Sequence, residues 1–247
     1  MLVLDRCAAG YAGRIVFSNL SLEIAEGETL AVVGPSGCGK STLLYAAAGL
    51  LQPLDGTVRL DRTPVAPGDR RIGLILQQYG LFPWFTVLDN VALGLRLHGQ
   101  PRAERLSAAR TALDAVGVGA LERRYIATLS GGEQQRVAIA RTWAMQPRLL
   151  LMDEPFSALD ALTRETLQDL LRSLLRTRTI ASILVTHSME EAVLLGSRIA
   201  VMHGRPARLE YIDNPIARAN TREVRMSARY FSTISALRRR FEELVDA

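Results

Sequence analysis

The nine residues Gly34-Pro35-Ser36-Gly37-Cys38-Gly39-Lys40-Ser41-Thr42 restrict what this chain can fold into more than any other stretch. They match the pattern G-x-x-x-x-G-K-[ST] and stand between residues 28–33, which read as a strand, and residues 40–50, which read as a helix. In that context the motif is a P-loop. Its glycines let the backbone wrap around phosphate oxygens with N–H groups pointing inward, and the helix N-terminus adds the positive end of its dipole. Lys40 is then placed to reach the β and γ phosphates of a nucleotide, and Ser41 to ligate Mg²⁺. The motif asks for a strand followed directly by a helix, and the rest of the chain mixes the two in the manner of an α/β protein.

Residues 2–9 and 14–24 read as further strands, and residues 58–60 and 72–76 as short ones. Apolar residues recur at helical spacing in residues 87–97, 102–116 and 133–144. Residues 148–152 are apolar without alternation, as expected of a parallel strand covered on both faces. Residues 162–186 repeat the theme, a helix and then a strand at 181–185. Near the end, residues 232–245 place Ile234, Leu237, Phe241, Leu244 and Val245 on one helical face and Arg238, Arg239, Arg240, Glu242 and Glu243 elsewhere. That pattern suits a packed amphipathic helix, with a helix lying on a membrane surface as the alternative. Residues 214–222 mark a seam.

Composition removes several classes. Of the 247 residues 48% are hydrophobic, enough for the core of one large domain or two small ones. Thirty Lys and Arg against 25 Asp and Glu leave a net charge of +5, which suits an anionic ligand or a lipid surface and selects neither; no nucleic-acid partner is expected. Two cysteines, Cys7 and Cys38, exclude a disulfide framework and structural zinc and fit a reducing cytoplasm. No apolar run reaches the roughly 18 residues of a membrane span, the longest candidate being residues 42–51. The start MLVLDRCAAG lacks a basic opening followed by an apolar stretch, so no secretion leader is expected.

A second chemical element ends the apolar run of residues 149–152 in Asp153 and Glu154. Ligands gather at the carboxyl ends of parallel strands, so Asp153 would emerge beside the P-loop to hold Mg²⁺ through water. Glu154 would polarise an attacking water as general base. Taken alone, Asp-Glu-Pro could simply terminate a strand.

Between these two elements stands Leu129-Ser130-Gly131-Gly132-Glu133-Gln134-Gln135-Arg136, and with it the sequence resembles the ATP-binding subunit of an ABC transporter over roughly residues 2–202. The resemblance implies a P-loop NTPase fold of the ABC nucleotide-binding type: a mainly parallel RecA-like core, an antiparallel β subdomain and a helical signature subdomain at about 87–146. The domain would span residues 1–214, with a short C-terminal helical extension at 215–247. ATP and Mg²⁺ are the cofactors it implies. Ser130, Gly131 and Gly132 would expose N–H groups at the start of a helix from Glu133, forming a second anion site. By resemblance that site binds the γ-phosphate held by another subunit, so the working unit is a head-to-tail pair with a second copy or a paralogous cassette. Glu133 stands where many members have glutamine, a change that leaves the backbone amides intact.

Other positions carry over one by one. Tyr11 resembles the aromatic residue that stacks on adenine, and Gln77 the glutamine that senses Mg²⁺ and water and couples to the membrane subunit, with Gln78 as its rival. Ser157-Ala158-Leu159-Asp160 resembles the D-loop, which shapes the opposite subunit's site. His187 resembles the switch histidine that contacts the γ-phosphate and positions Glu154. The resemblance thus implies Lys40, Glu154 and His187 as catalytic residues and Ser41, Gln77 and Asp153 as metal residues.

Residues 77–91, apolar and aromatic around Phe82-Pro83-Trp84, form the region expected to receive a coupling helix from a transmembrane permease. Together with residues 153–164 they most resemble importers for nitrate, taurine and aliphatic sulfonates, which places the chain on the cytoplasmic face of the membrane with a solute-binding protein as an indirect partner. Residues 129–136 also resemble the signature of lipoprotein-releasing and peptide-exporting cassettes, so export stays open. The absence of a heptad run between Lys40 and Asp153 speaks against chromosome and repair relatives, and the single copy of each motif against ribosome-associated ones. A stand-alone nucleotide-dependent regulator is the alternative from another class. The short stretch after Asn214 leaves no room for the regulatory β-barrel of sugar-importer relatives.

Overall fold

The computed structural model describes residues 1–11, 13–217 and 224–245. Two sheets organise them. The six-stranded sheet, in the order β10-β9-β3-β8-β7-β6, is parallel through β9, β3, β8, β7 and β6, with β10 antiparallel at one edge. Its centre is β3 (Thr29–Val33), β7 (Leu149–Asp153) and β8 (Ala181–Val185), in each of which every residue is buried. This is why their sequences are mostly apolar rather than alternating, and the two hydroxyls within them, Thr29 and Ser182, bond to each other at 2.7 Å. β6 (Ile72–Ile75), β9 (Arg198–His203) and β10 (Arg208–Asp213) complete it.

The four-stranded sheet is antiparallel, in the order β2-β1-β4-β5, from β1 (Leu2–Tyr11), β2 (Arg14–Ile24), β4 (Asp55–Leu60) and β5 (Thr63–Pro64). Its inner face, including Leu2, Leu4, Phe17 and Leu60, packs with helix α1 (Lys40–Ala47) and one face of the large sheet into a single apolar cluster. The other face of the large sheet is covered by α4 (Gly131–Ala144), α5 (Ala161–Thr177), α6 (Met189–Leu195) and α7 (Ala228–Val245). α2 (Val87–Leu97) and α3 (Arg102–Ala115) pack on α4 as a helical outgrowth of that cluster.

The expected α/β architecture is the one observed, with several local differences. α1 stops at Ala47 because Gly49 takes φ +70°, where an added Cβ would lie 2.9 Å from the Ala66 carbonyl carbon. β4 begins at Asp55, before residue 58, because Asp55 pairs with Ala8 across the sheet. α4 begins at Gly131, before Glu133, under a Ser130 cap. β7 starts after Arg148, whose guanidinium instead pairs with Asp61 at 3.2 Å.

β5, α6, β9 and β10 had no counterpart in the sequence reading. In α7, Ile234 and Leu237 are buried and Phe241 and Leu244 half-buried, so the helix spends its apolar face on the core rather than on a membrane. Val245 is 37% exposed and does not join that face, whereas the buried Tyr230 extends it toward the N-terminus. At the seam, Asn214 is tied back by amide donation to the carbonyls of Val193 (2.8 Å) and Gly196 (2.6 Å); residues 218–222 lie outside the described residues.

Candidate active site

β3 lies between β8 and β9, and the chain leaves its carboxyl end through residues 34–39 to enter α1 at Lys40. The turn needs left-handed backbone at Gly37 (φ +75°) and Gly39 (φ +113°). At Gly39 a Cβ would also stand 2.3 Å from Val16 Cγ1, so only glycine passes between the loop and β2. The loop opens on a cavity of about 710 Å³, a size suited to a small-molecule ligand. Ser36, Gly37, Cys38, Gly39, Lys40, Ser41 and Thr42 line it, facing Tyr11 and Glu154.

Lys40 is buried, and its Nζ donates to the carbonyls of Gly34 (2.8 Å) and Pro35 (3.0 Å). No carboxylate pairs with it among the described residues. A buried ammonium held only by neutral oxygens is electrostatically incomplete, which is the condition an anionic phosphate would relieve.

Asp153 closes β7 and is also buried. Burial pushes its carboxyl pKa up, the neighbouring Glu154 adds to the rise, and a hydrogen bond with the Ser41 side chain opposes it. A buried carboxylate beside a hydroxyl is a hard oxygen pair that fits Mg²⁺. Glu154 follows at φ +45°, a left-handed conformation that is strained for a side-chain-bearing residue. It is held there by its N–H to the Val185 carbonyl (2.9 Å) and by the Ser157 hydroxyl on its own carbonyl (3.0 Å). Its Oε2 lies 3.0 Å from Nδ1 of His187, which enters from the end of β8.

The signature residues form a different face. Ser130 caps α4 in a capping box: its N–H donates to Glu133 Oε2 (2.8 Å), and its Oγ accepts the Glu133 N–H (3.3 Å). The Ser130 N–H, with the Ser130 hydroxyl 3.0 Å from the same oxygen, holds the Glu133 carboxyl below its usual range. Ser130's own N–H is therefore spent within the cap, and the free donors at this helix start are the amides of Gly131 and Gly132. Gly132 sits against α5, where a Cβ would come within 2.5 Å of Thr163 Cγ2. Asp160 caps α5 by accepting the Thr163 N–H at 3.0 Å. The two caps border one concavity of about 460 Å³, lined by Ser130 to Glu133 and by Ala158 to Asp160. Among the described residues none lines both this concavity and the P-loop cavity.

Gln77 is exposed in the turn after β6 and does not line the P-loop cavity. Arg141 of α4 grips this turn, donating to the carbonyls of Gly80 (2.6 Å) and Tyr79 (2.9 Å). Beyond it Phe82, Trp84 and Phe85 cluster with ring centroids 5.5 to 6.4 Å apart, and Trp84 is 67% exposed. The fully buried Asn90 holds this outcrop, accepting the Phe82 N–H and donating to the carbonyls of Phe82, Phe85 and Thr86.

Sequence reasoning missed Arg14, Ile15 and Val16 from β2 and the turn Gly204 to Pro206, all of which line the P-loop cavity. Arg14 was within reach, since it pairs with Tyr11 across the hairpin. Arg205 was not, because the β9–β10 hairpin that carries it was not read.

A family model described as ABC transporter matches residues 17–157. The chain is 49% identical over 197 residues to the taurine import ATP-binding protein TauB of Pseudomonas aeruginosa, covering 79% of this chain and 74% of that one. A dimeric post-hydrolysis state of the ATP-binding cassette MJ0796 bound to ADP and Pi superposes with a TM-score of 0.75 at 31% identity, over 89% of this chain and all of that one. The cbiO1 protein of Clostridium perfringens, part of the ABC transporter complex cbiONQ, superposes with a TM-score of 0.78 at 26% identity, over 96% of this chain and 98% of that one.

Proposed function

The chain belongs to the ABC transporter family and is an ATPase of that family, and from this premise we propose that it powers uptake of a small solute across the cytoplasmic membrane, the cargo being a taurine, sulfonate or nitrate type of compound. The observation that carries the reading is the separation of two half-sites: among the described residues the P-loop cavity and the signature concavity share no lining residue. Each is completed if two copies, or a copy and a paralogous cassette, meet head to tail. Dimeric relatives such as MJ0796 support that pairing, and the identity to TauB supports the direction and class of cargo.

In this reading Tyr11 stacks on adenine, while the loop from Gly34 to Gly39 and the Lys40 ammonium bind the phosphates. Ser41, Asp153 and, on closure, Gln77 hold Mg²⁺, which when bound neutralises phosphate charge and orients the γ-phosphoryl group. Glu154 accepts the proton of the attacking water, and His187 fixes the carboxylate that does so. Ser130, Gly131, Gly132 and Glu133 of one copy face the nucleotide of the other, with Asp160 shaping the same boundary. ATP binding closes the pair, and hydrolysis lets it part.

Among the described residues no helix is long and apolar enough to cross a membrane. Attachment therefore falls to residues 77–91, whose exposed Trp84 offers an aromatic knob to a permease loop, with a solute-binding protein acting only through the permease. The test is uptake of labelled taurine, alkanesulfonate and nitrate by cells with and without this chain, beside nucleotide-dependent pairing of the Glu154→Gln variant. Cargo that leaves faster in its presence would reverse the direction to export. A variant that stays monomeric with ATP and the permease would end the two-half-site reading.

A further inference from the structure

Behind His187 runs a buried hydrogen-bond chain that the steps above do not use. Thr186 is 1% exposed; its hydroxyl donates to Glu191 Oε2 at 2.5 Å and accepts the Ser188 N–H at 3.0 Å. That one hydroxyl thus pins the backbone that flanks His187 to the first turn of α6. The other oxygen of the buried Glu191 accepts Gln168 Nε2 of α5 at 3.4 Å. Gln168, buried as well, accepts from Arg225 at 2.9 Å, and Arg225 pairs with Asp169 at 2.7 Å, just ahead of α7. The path runs from the segment that opens the C-terminal helix to the backbone on either side of His187, whose imidazole in turn meets Glu154 at 3.0 Å.

A carboxylate in this position is costly. Glu191 is 4% exposed and is followed in α6 by Ala192 and Val193, both 0% exposed, and an apolar side chain would sit in such a place without desolvation of a charge. A purely packing role leaves the polar chain unexplained, whereas orientation of a side chain that is itself 64% exposed calls for a rigid base beneath it.

We propose that Thr186, Glu191 and Gln168 are positioning residues that hold His187 against Glu154, and that Arg225 fastens this support to the C-terminal segment. The proposal rests on the reading of His187 as the group that fixes Glu154. On that view the hydrolytic rate responds to how residues 224–225 and α7 are seated, through a route that uses none of the residues lining the P-loop cavity.

The experiment measures ATP turnover of the full chain with its permease for Thr186→Val, Thr186→Ser, Gln168→Leu, Arg225→Met and His187→Ala, together with the double variant Thr186→Val/His187→Ala. Thr186→Val is expected to lower kcat about ten-fold with KM for ATP changed less than about two-fold, and Thr186→Ser to restore kcat, because only an interaction felt in the transition state moves kcat alone. Arg225→Met, at the far end of the path, is expected to lower kcat by about two- to three-fold, and it provides the reading if Thr186→Val fails to fold. In the His187→Ala background the Thr186 substitution should cost nothing further, since both act through one imidazole. Equal kcat in wild type and Thr186→Val, or an effect that multiplies with that of His187→Ala, would overturn the proposal. A fully active His187→Ala would instead overturn the role of the histidine on which it rests.

Discussion

Nδ1 of His187 stands 3.0 Å from Oε2 of Glu154, and the contact bridges the carboxyl ends of two adjacent parallel strands, β7 and β8, paired through Asp153 and Val185. Parallel pairing brings both strand ends to the same edge of the sheet, where α1 also begins. Replacing the carboxylate while keeping its shape should therefore stop chemistry and spare binding. Glu154→Gln is expected to lower kcat by about 10² to 10⁴ with ATP still bound, as for loss of a general base. Single-turnover hydrolysis beside nucleotide retention on a sizing column checks it.

Lys40→Met tests the incomplete electrostatics of the P-loop. The ammonium donates to two neutral carbonyls, those of Gly34 and Pro35, so its loss should shift folding stability by no more than about 1 kcal/mol. ATP affinity should fall by about 2 kcal/mol, or roughly 30-fold, from loss of a charge-assisted contact. Titration with a fluorescent nucleotide and urea unfolding of the same sample separate the two effects.

Trp84 and Asn90 should behave oppositely although both serve one loop. Trp84→Ala removes a side chain that is 67% exposed, so stability should change by less than about 0.5 kcal/mol and basal hydrolysis should persist while transport is lost. Parallel assays of ATPase and uptake in reconstituted vesicles decide this, an equal loss of both pointing to a folding role.

Asn90→Ala strips four hydrogen bonds from a fully buried post and leaves the Phe82 N–H without its acceptor. A stability loss of about 3 kcal/mol is expected, with transport failing because the aromatic outcrop loosens. Chemical denaturation gives the magnitude, and hydrogen exchange at Phe82 and Phe85 shows whether the loss is local.

Asp69 supplies an acid-dependent term. The Arg71 guanidinium at 2.5 Å holds its carboxyl below the ordinary value, and both side chains are largely covered, at 10% and 24% exposure. A lowered native pKa means stability present above the unfolded value of about 3.9 and lost as pH falls through the native one. Asp69→Asn should therefore cost about 1 kcal/mol at pH 7, and the gap to wild type should close as the pH drops below about 4. Urea unfolding at pH 7, 5 and 3 reads the closure directly.

What the sequence settles by itself is local or periodic. The P-loop follows from glycines placed where the backbone turns left-handed, and the central strands from apolar runs that only a doubly covered strand explains. The signature helix follows from apolar residues at helical spacing in residues 133–144, while its start at Gly131 under the Ser130 cap came from the structure. Each of these is determined within a few residues, where steric and capping preferences act without help from the rest of the chain.

Tertiary structure decides whatever depends on strand order and register. Glu154 and His187 meet only because β7 and β8 are neighbours in parallel, and Arg205 joins the cavity beside Tyr11 and Arg14 only because hairpin turns from two different sheets converge on it. The buried path from Arg225 through Gln168 and Glu191 to Thr186 crosses α5, α6 and the end of β8, and no spacing in the sequence announces it. Such contacts form between groups distant along the chain, and their geometry is fixed by the packing of whole elements rather than by the preferences of the residues that make them.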